Sequence, residues 1–234
     1  MNIESAKGRF NMSVAMLKHM LQIVITYMIM AVTLFISSGR LNWILAWACL
    51  GASLWVMAVN VIVLPPELIA ERGQSKGKIK RWDKVLSTLG SLATLGVLVL
   101  AGLDRRFGWS SRFILVIHLF GLIFFILGQG LFSWAMASNK FFSTVVHIQA
   151  DRDHTVATTG PHRYVRHPGY VGYMVSFLGM SLALGSLWAI IPAGLITCFL
   201  IIRTILEDRE LKDELPGYKD YACDVRYRML LGIW

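Results

Sequence analysis

The sequence predicts an all-α, polytopic integral membrane protein, and three observations carry that expectation. The chain is 56% hydrophobic and only 16% charged, where a soluble domain carries about 25% charged residues. Its mean hydropathy is positive. Several nearly uncharged runs reach the roughly 18 residues that cross about 30 Å of hydrocarbon. Helices are the expected form, because a lipid-embedded segment has to satisfy its own backbone groups. The formal charge of +9 then reads as membrane topology and contact with anionic headgroups. No repeating basic-aromatic surface suggests a nucleic-acid partner. Three cysteines, Cys49, Cys198 and Cys223, form neither a disulfide framework nor a CxxC metal spacing.

About six spans follow in order. Residues 1–18 are polar and basic and do not look like a cleaved signal, so the run from Met20 to Ser37 reads as a retained first span. The second, Trp43 to Leu64, stops at Pro65-Pro66. A strongly basic connector spans residues 65–84 and is expected in the cytosol, where it also suits anionic lipid. Val85 to Leu103 and Phe113 to Phe132 are the third and fourth spans, the latter carrying a lone histidine, His118, read as a satisfied core residue. Residues 133–153 are mixed in character, and FFSTVVHIQ fits a short extended piece or a continuing helix. Tyr170 to Leu184 and Trp188 to Ile202 are the last two, joined by a tight Gly185-Ser186 turn. Residues 1–138 are thus expected to form an N-terminal membrane unit of about four spans, and 139–234 a functional unit of loop, hairpin and polar tail. Lys and Arg counts favour both termini in the cytosol, with one exception. The 104–112 loop places three arginines on the outer side.

Two polar islands interrupt this apolar chain. One is HTVATTGPHRYVRHPGYVGY, from His154 to Tyr173, and the other runs from Arg203 to Arg228. A helical hairpin between them has both ends on one side, so the islands have to meet there. Half of the acidic residues fall between Glu207 and Asp224. Arg203 and Glu207 share a helix face at i,i+4, and Arg203 lies where the apolar run ends, a depth at which charges are costly and tend to be paired or functional. Glu210, Asp213 and Glu214 read instead as a solvated helix face. Tyr218 and Tyr221 stand three apart, able to flank a planar or cationic ligand. His167 precedes Pro168 and is held extended. Arg166 adjoins it, so that one of the two can face a site and the other the protein. The histidine spacing fits no metal.

GPHRYVRHPGYVGY, followed by the hairpin and an acidic tail, resembles the signature of the isoprenylcysteine carboxyl methyltransferase family and its prokaryotic relatives, which include phospholipid methyltransferase-like proteins. The matching residues here are His154, Gly160, Arg166-His167-Pro168 and Tyr170, then Arg203, Glu207-Asp208, Leu211, Tyr218 and Tyr221. The resemblance covers roughly residues 139–231. The pattern departs at His162, where that family has Tyr, at Asp208, which replaces a second Glu, and at Leu231, which replaces a Pro.

The resemblance implies S-adenosylmethionine as methyl donor, reaching the site from the cytosol, and a lipophilic or lipid-linked acceptor entering from the bilayer of the inner or plasma membrane. It implies a cofactor pocket of His154, Val156, Gly160, Tyr164, Arg166, His167, Pro168, Tyr170, Glu207, Tyr218 and Tyr221. Arg203 is expected to orient a carboxylate acceptor, and Glu207 to deprotonate an amine acceptor or hold the donor's amino group. Two alternatives are a membrane reductase using NADPH, similar to the steroid 5α-reductases that share Arg-His-Pro-x-Tyr, and a non-catalytic membrane scaffold. Gly169 and Gly172-Tyr173 depart from the reductase pattern.

Overall fold

In the computed structural model the described residues are 3–65, 68–69, 80–110, 113–143, 145–149 and 152–234, with side chains described for Val14, Leu17, Lys18 and from Met20 onward. Among them are seven α-helices and no strand. Five are long and apolar enough to cross a membrane. The protein is an all-helical integral membrane protein, as its composition predicts.

The first helix, α1 (Ile3–Ser38), begins well before the apolar run. Ala6, Ala15, Met16 and Leu17 favour helix, so nothing stops it at the polar boundary. It ends where Gly39 takes a left-handed φ of +63° and its N–H reaches back to the Phe35 carbonyl at 3.0 Å. The next, α2 (Ile44–Val63), stops before Pro65, which cannot continue the hydrogen-bond ladder. Most of the basic connector, including Arg72, Lys76 and Lys78, lies outside the described residues. Beyond it α3 (Arg81–Phe107) spans 27 residues, about 40 Å at 1.5 Å per residue, and closes on a left-handed Gly108.

Two further helices, α4 (Leu115–Ala137) and α5 (Pro168–Ala183), form the closest helix pair among the described residues. They run antiparallel, and two glycines from each helix face the other's backbone. A Cβ on Gly128 would sit 2.6 Å from the Gly172 carbonyl oxygen, and one on Gly179 2.5 Å from the Phe125 nitrogen. With no hydrophobic force between helices in lipid, such close backbone approach supplies the packing energy. The fifth expected span, Tyr170 to Leu184, is α5, whose 16 residues run about 24 Å and whose first turn is already part of the polar site. Pro168 opens it, a position where the missing N–H costs nothing.

The hairpin partner α6 (Ile190–Glu214) is followed, after Gly217, by the short α7 (Tyr218–Asp224). The buried core joins α1, α2, α3, α5 and α6 through Leu34, Trp43, Val97, Leu98, Met180 and Ile196. At the turn end, Asp104 on α3 accepts from the Ser110 N–H at 2.7 Å and from the Ser186 hydroxyl at 2.6 Å. His118 lies 2.9 Å from the Ala183 carbonyl through Nδ1, in keeping with a satisfied core histidine. The hairpin turn is therefore tied to α3 and α4 at one end of the bundle, and the two polar islands converge at the other.

Candidate active site

The islands meet through backbone first. The Arg166 N–H donates to the Tyr227 carbonyl at 3.0 Å, and the His167 N–H to the Arg228 carbonyl at 2.8 Å. Tyr221 adds a hydroxyl bond of 2.6 Å to the His162 carbonyl. Arg203 to Arg228 is thereby stitched along the loop that enters α5.

Beneath these bonds lies a buried ionic hub on Asp208, which is 1% exposed. Arg166 grips it through Nε at 2.7 Å and Nη2 at 3.2 Å, a bidentate pairing. Its remaining nitrogen donates to the Val225 and Arg226 carbonyls at 2.6 and 2.8 Å. Arg228 pairs with Asp208 at 3.1 Å, Lys212 pairs with Asp208 at 3.3 Å, and the Tyr218 hydroxyl donates to Asp208 at 3.1 Å. Arg166 borders the cavity, but its donors are spent on the protein. His167 is turned inward as well: its ring stacks on Tyr170 with centroids 5.6 Å apart, and Nε2 lies 3.7 Å from Asp208. Both residues are buried and both line the cavity, with the Arg166 donors engaged by the protein.

Above the hub is a cavity that is partly open to solvent. His154, Val156, Arg166, His167, Tyr170, Arg203, Glu207, Tyr218 and Tyr221 all line it. On its floor the Tyr170 hydroxyl donates to Glu207 Oε2 at 2.5 Å, and the Arg203 guanidinium carbon sits 5.6 Å from the Tyr170 ring centre. Arg203 also pairs with Asp83 at 2.8 Å. Three expected residues are not among those lining it. Tyr164 is 53% exposed. Gly160 opens a short 3-10 turn against Ser138 and Trp134, using its φ of +59° and a lack of side chain. Pro168 is buried and starts α5. Tyr218 and Tyr221 are in edge-to-face contact at 5.5 Å, so they present a joined wall to the cavity and leave no slot between them.

The described residues of FFSTVVHIQ, read as extended or helical, form neither a strand nor a helix. α4 stops at Ala137, and the chain then folds irregularly over the cavity, bringing Phe141, Phe142, Val145, Val146 and His147 to its lining. The Phe141 ring packs on His154 at 4.4 Å. Burial pushes the His154 imidazole down to about 4, with nearby His147 and Arg152 adding repulsion, so the ring is neutral at neutral pH. His162, the departure from the tyrosine of the resembled family, lies 3.1 Å from the Ala135 carbonyl and 3.4 Å from that of Arg166. It joins the end of α4 to the turn before α5, and burial lowers its pKa. Burial also raises both tyrosine hydroxyls of α7, Tyr221 to about 12, so they act as neutral donors.

Sequence reasoning did not single out Asp83, the aromatic loop or Arg228. The one available signal for Asp83 was an acidic residue on the threshold of an apolar run. For the loop the alternation in FFSTVVHIQ pointed to a strand or a helix, not to a cavity lining.

Residues 116–214, less than half of the chain, match the phospholipid methyltransferase family. A 64-residue segment is 42% identical to Protein-S-isoprenylcysteine O-methyltransferase of Schizosaccharomyces pombe, covering 27% of this chain and 27% of that protein. The chain thus spans about a quarter of that relative's length.

Proposed function

From the match of residues 116–214 to the phospholipid methyltransferase family, we propose that the protein transfers a methyl group from S-adenosylmethionine to a lipophilic or lipid-linked acceptor at the membrane face. The carrying observation is the cavity lining, where Tyr170 of one island donates a hydrogen bond to Glu207 of the other and lies with its ring against Arg203.

The residues present suit the donor. A sulfonium cation is attracted by aromatic faces, and Phe141, Phe142, Tyr170, Tyr218 and Tyr221 all line the cavity. Glu207 supplies a carboxylate for a cationic group, and His154 and Val156 supply the rim. When bound, the donor contributes an electrophilic methyl group that a nucleophile of the acceptor can take. The chain's own contribution is alignment, which is worth several orders of magnitude in rate. Arg203, held against Tyr170 and Asp83, is placed to orient a carboxylate acceptor. Glu207, its Oε2 already receiving the Tyr170 hydroxyl, is placed to take a proton from an amine acceptor. Phe142, Leu211 and Leu215 give the cavity an apolar margin for an acceptor arriving from the bilayer. Membrane lipids are the natural surroundings and source of that acceptor. The Lys and Arg distribution favours a cytosolic site, where the donor is made available.

Equilibrium binding in detergent, followed by transfer of labelled methyl into a total lipid extract, tests this reading. Saturable S-adenosylmethionine binding with labelled lipid product is expected. Binding of NADPH in its place would contradict it. His167→Ala should lose donor binding, and Arg203→Ala should keep binding but lose turnover on a carboxylate acceptor. Glu207→Gln should lose turnover on an amine.

A further inference from the structure

Asp83 stands outside the matched segment and outside the cavity lining, yet it joins two things that do line the cavity. It is fully buried, at 0% exposure, in the first turn of α3, where the helix end favours an anion. Its Oδ1 lies 2.8 Å from Arg203 Nη2, and its Oδ2 accepts the Val146 N–H at 2.9 Å. Arg203 leads on to the Tyr170 ring and Tyr170 to Glu207. Val146 belongs to the aromatic loop that covers the cavity. The same turn of α3 is fastened to α6 by Lys80 with Glu210 at 2.7 Å and Trp82 with Glu210 at 3.2 Å.

We propose that Asp83 is a positioning residue for methyl transfer: from the N-terminal membrane unit it fixes both the Arg203 guanidinium and the 141–147 loop. A buried cation is costly unless paired, and without Asp83 the guanidinium has reason to swing toward water or toward Glu207. Either move changes the geometry in which an acceptor is held, and misplacement of about 1 Å can cost about a hundredfold in rate. The N-terminal spans then do more than hold the chain in the bilayer. They complete its site.

This inference rests on the methyltransferase reading, and the test separates the two. Wild type, Asp83→Asn, Arg203→Gln and the double variant are compared in detergent for S-adenosylmethionine affinity and for kcat and KM toward a lipid acceptor. Asp83→Asn should leave donor affinity within about twofold and lower kcat by about a hundredfold. In the Arg203→Gln background the same change should have almost no further effect, since coupled residues are non-additive. Full, additive losses in the double variant would overturn the positioning role, and so would an unchanged kcat in Asp83→Asn. If Asp83→Asn does not fold, recovery of folding in the double variant supports the pairing and continued failure overturns it. A wild type that neither binds the donor nor transfers methyl would instead bring down the proposed function itself, and the role of Asp83 with it.

Discussion

His162 shows how a single residue holds this site without touching chemistry. Its ring spans the Ala135 and Arg166 carbonyls, so it links the end of α4 to the turn that starts α5. His162→Ala leaves a buried carbonyl unsatisfied and should lower stability by about 1–3 kcal/mol, read as a drop in unfolding temperature. His154 supplies a pH signature. Its folded value of about 4 lies below the ordinary 6.5, so between those values the unfolded chain binds more protons than the native one. Stability should therefore be fully present above pH 6.5 and decline as pH falls toward 4. Thermal unfolding across pH 4–7 checks this, and His154→Asn should flatten part of the slope. Asp208→Ala would strand the buried Arg166 and is expected to cost about 3–5 kcal/mol. Of these residues the sequence singled out His154 and Arg166, because unusual polar residues beside apolar runs need a reason. It did not make legible that Arg166 serves Asp208, since the choice between facing a ligand and facing the protein depends on partners 42 residues away.

The α4–α5 pair is the element on which the site's geometry depends. Its first turn carries Tyr170, and its register is set by glycines that admit backbone at 2.5–2.6 Å from where a Cβ would be. Gly172→Leu or Gly128→Leu should force the helices apart, displace Tyr170 from Glu207 and abolish donor binding, measured alongside an unfolding temperature that also falls. A change at the opposite end should separate the two effects. Ser186→Ala removes a bond to Asp104, so it should lower stability modestly while donor affinity stays unchanged. The helices themselves were readable from run length and from proline and glycine punctuation. Their exact extents were not: α1 continues through polar residues with high helix propensity, and α5 starts inside the polar island. The alternation in FFSTVVHIQ does not become a strand, because no other described segment offers a strand to pair with.

At the scale of the molecule, one end of the bundle is structural and the other is chemical. The Asp104, Ser110 and Ser186 cluster closes the hairpin turn, and the Asp208 hub closes the tail over the loop. That the two polar islands share one end followed from hairpin geometry alone, and the backbone bonds from Arg166 and His167 to Tyr227 and Arg228 bear it out. The contribution of α3 through Asp83 was hidden, because nothing in a basic connector says which of its residues turns inward. The central claim is that both islands contact one donor molecule. Photo-crosslinking of labelled S-adenosylmethionine to the purified protein, followed by peptide mapping, tests it most directly. Adducts in peptides from both 154–170 and 203–221, suppressed together by excess unlabelled donor, are the predicted result. Specific adducts confined to one island, or none in either, would contradict it.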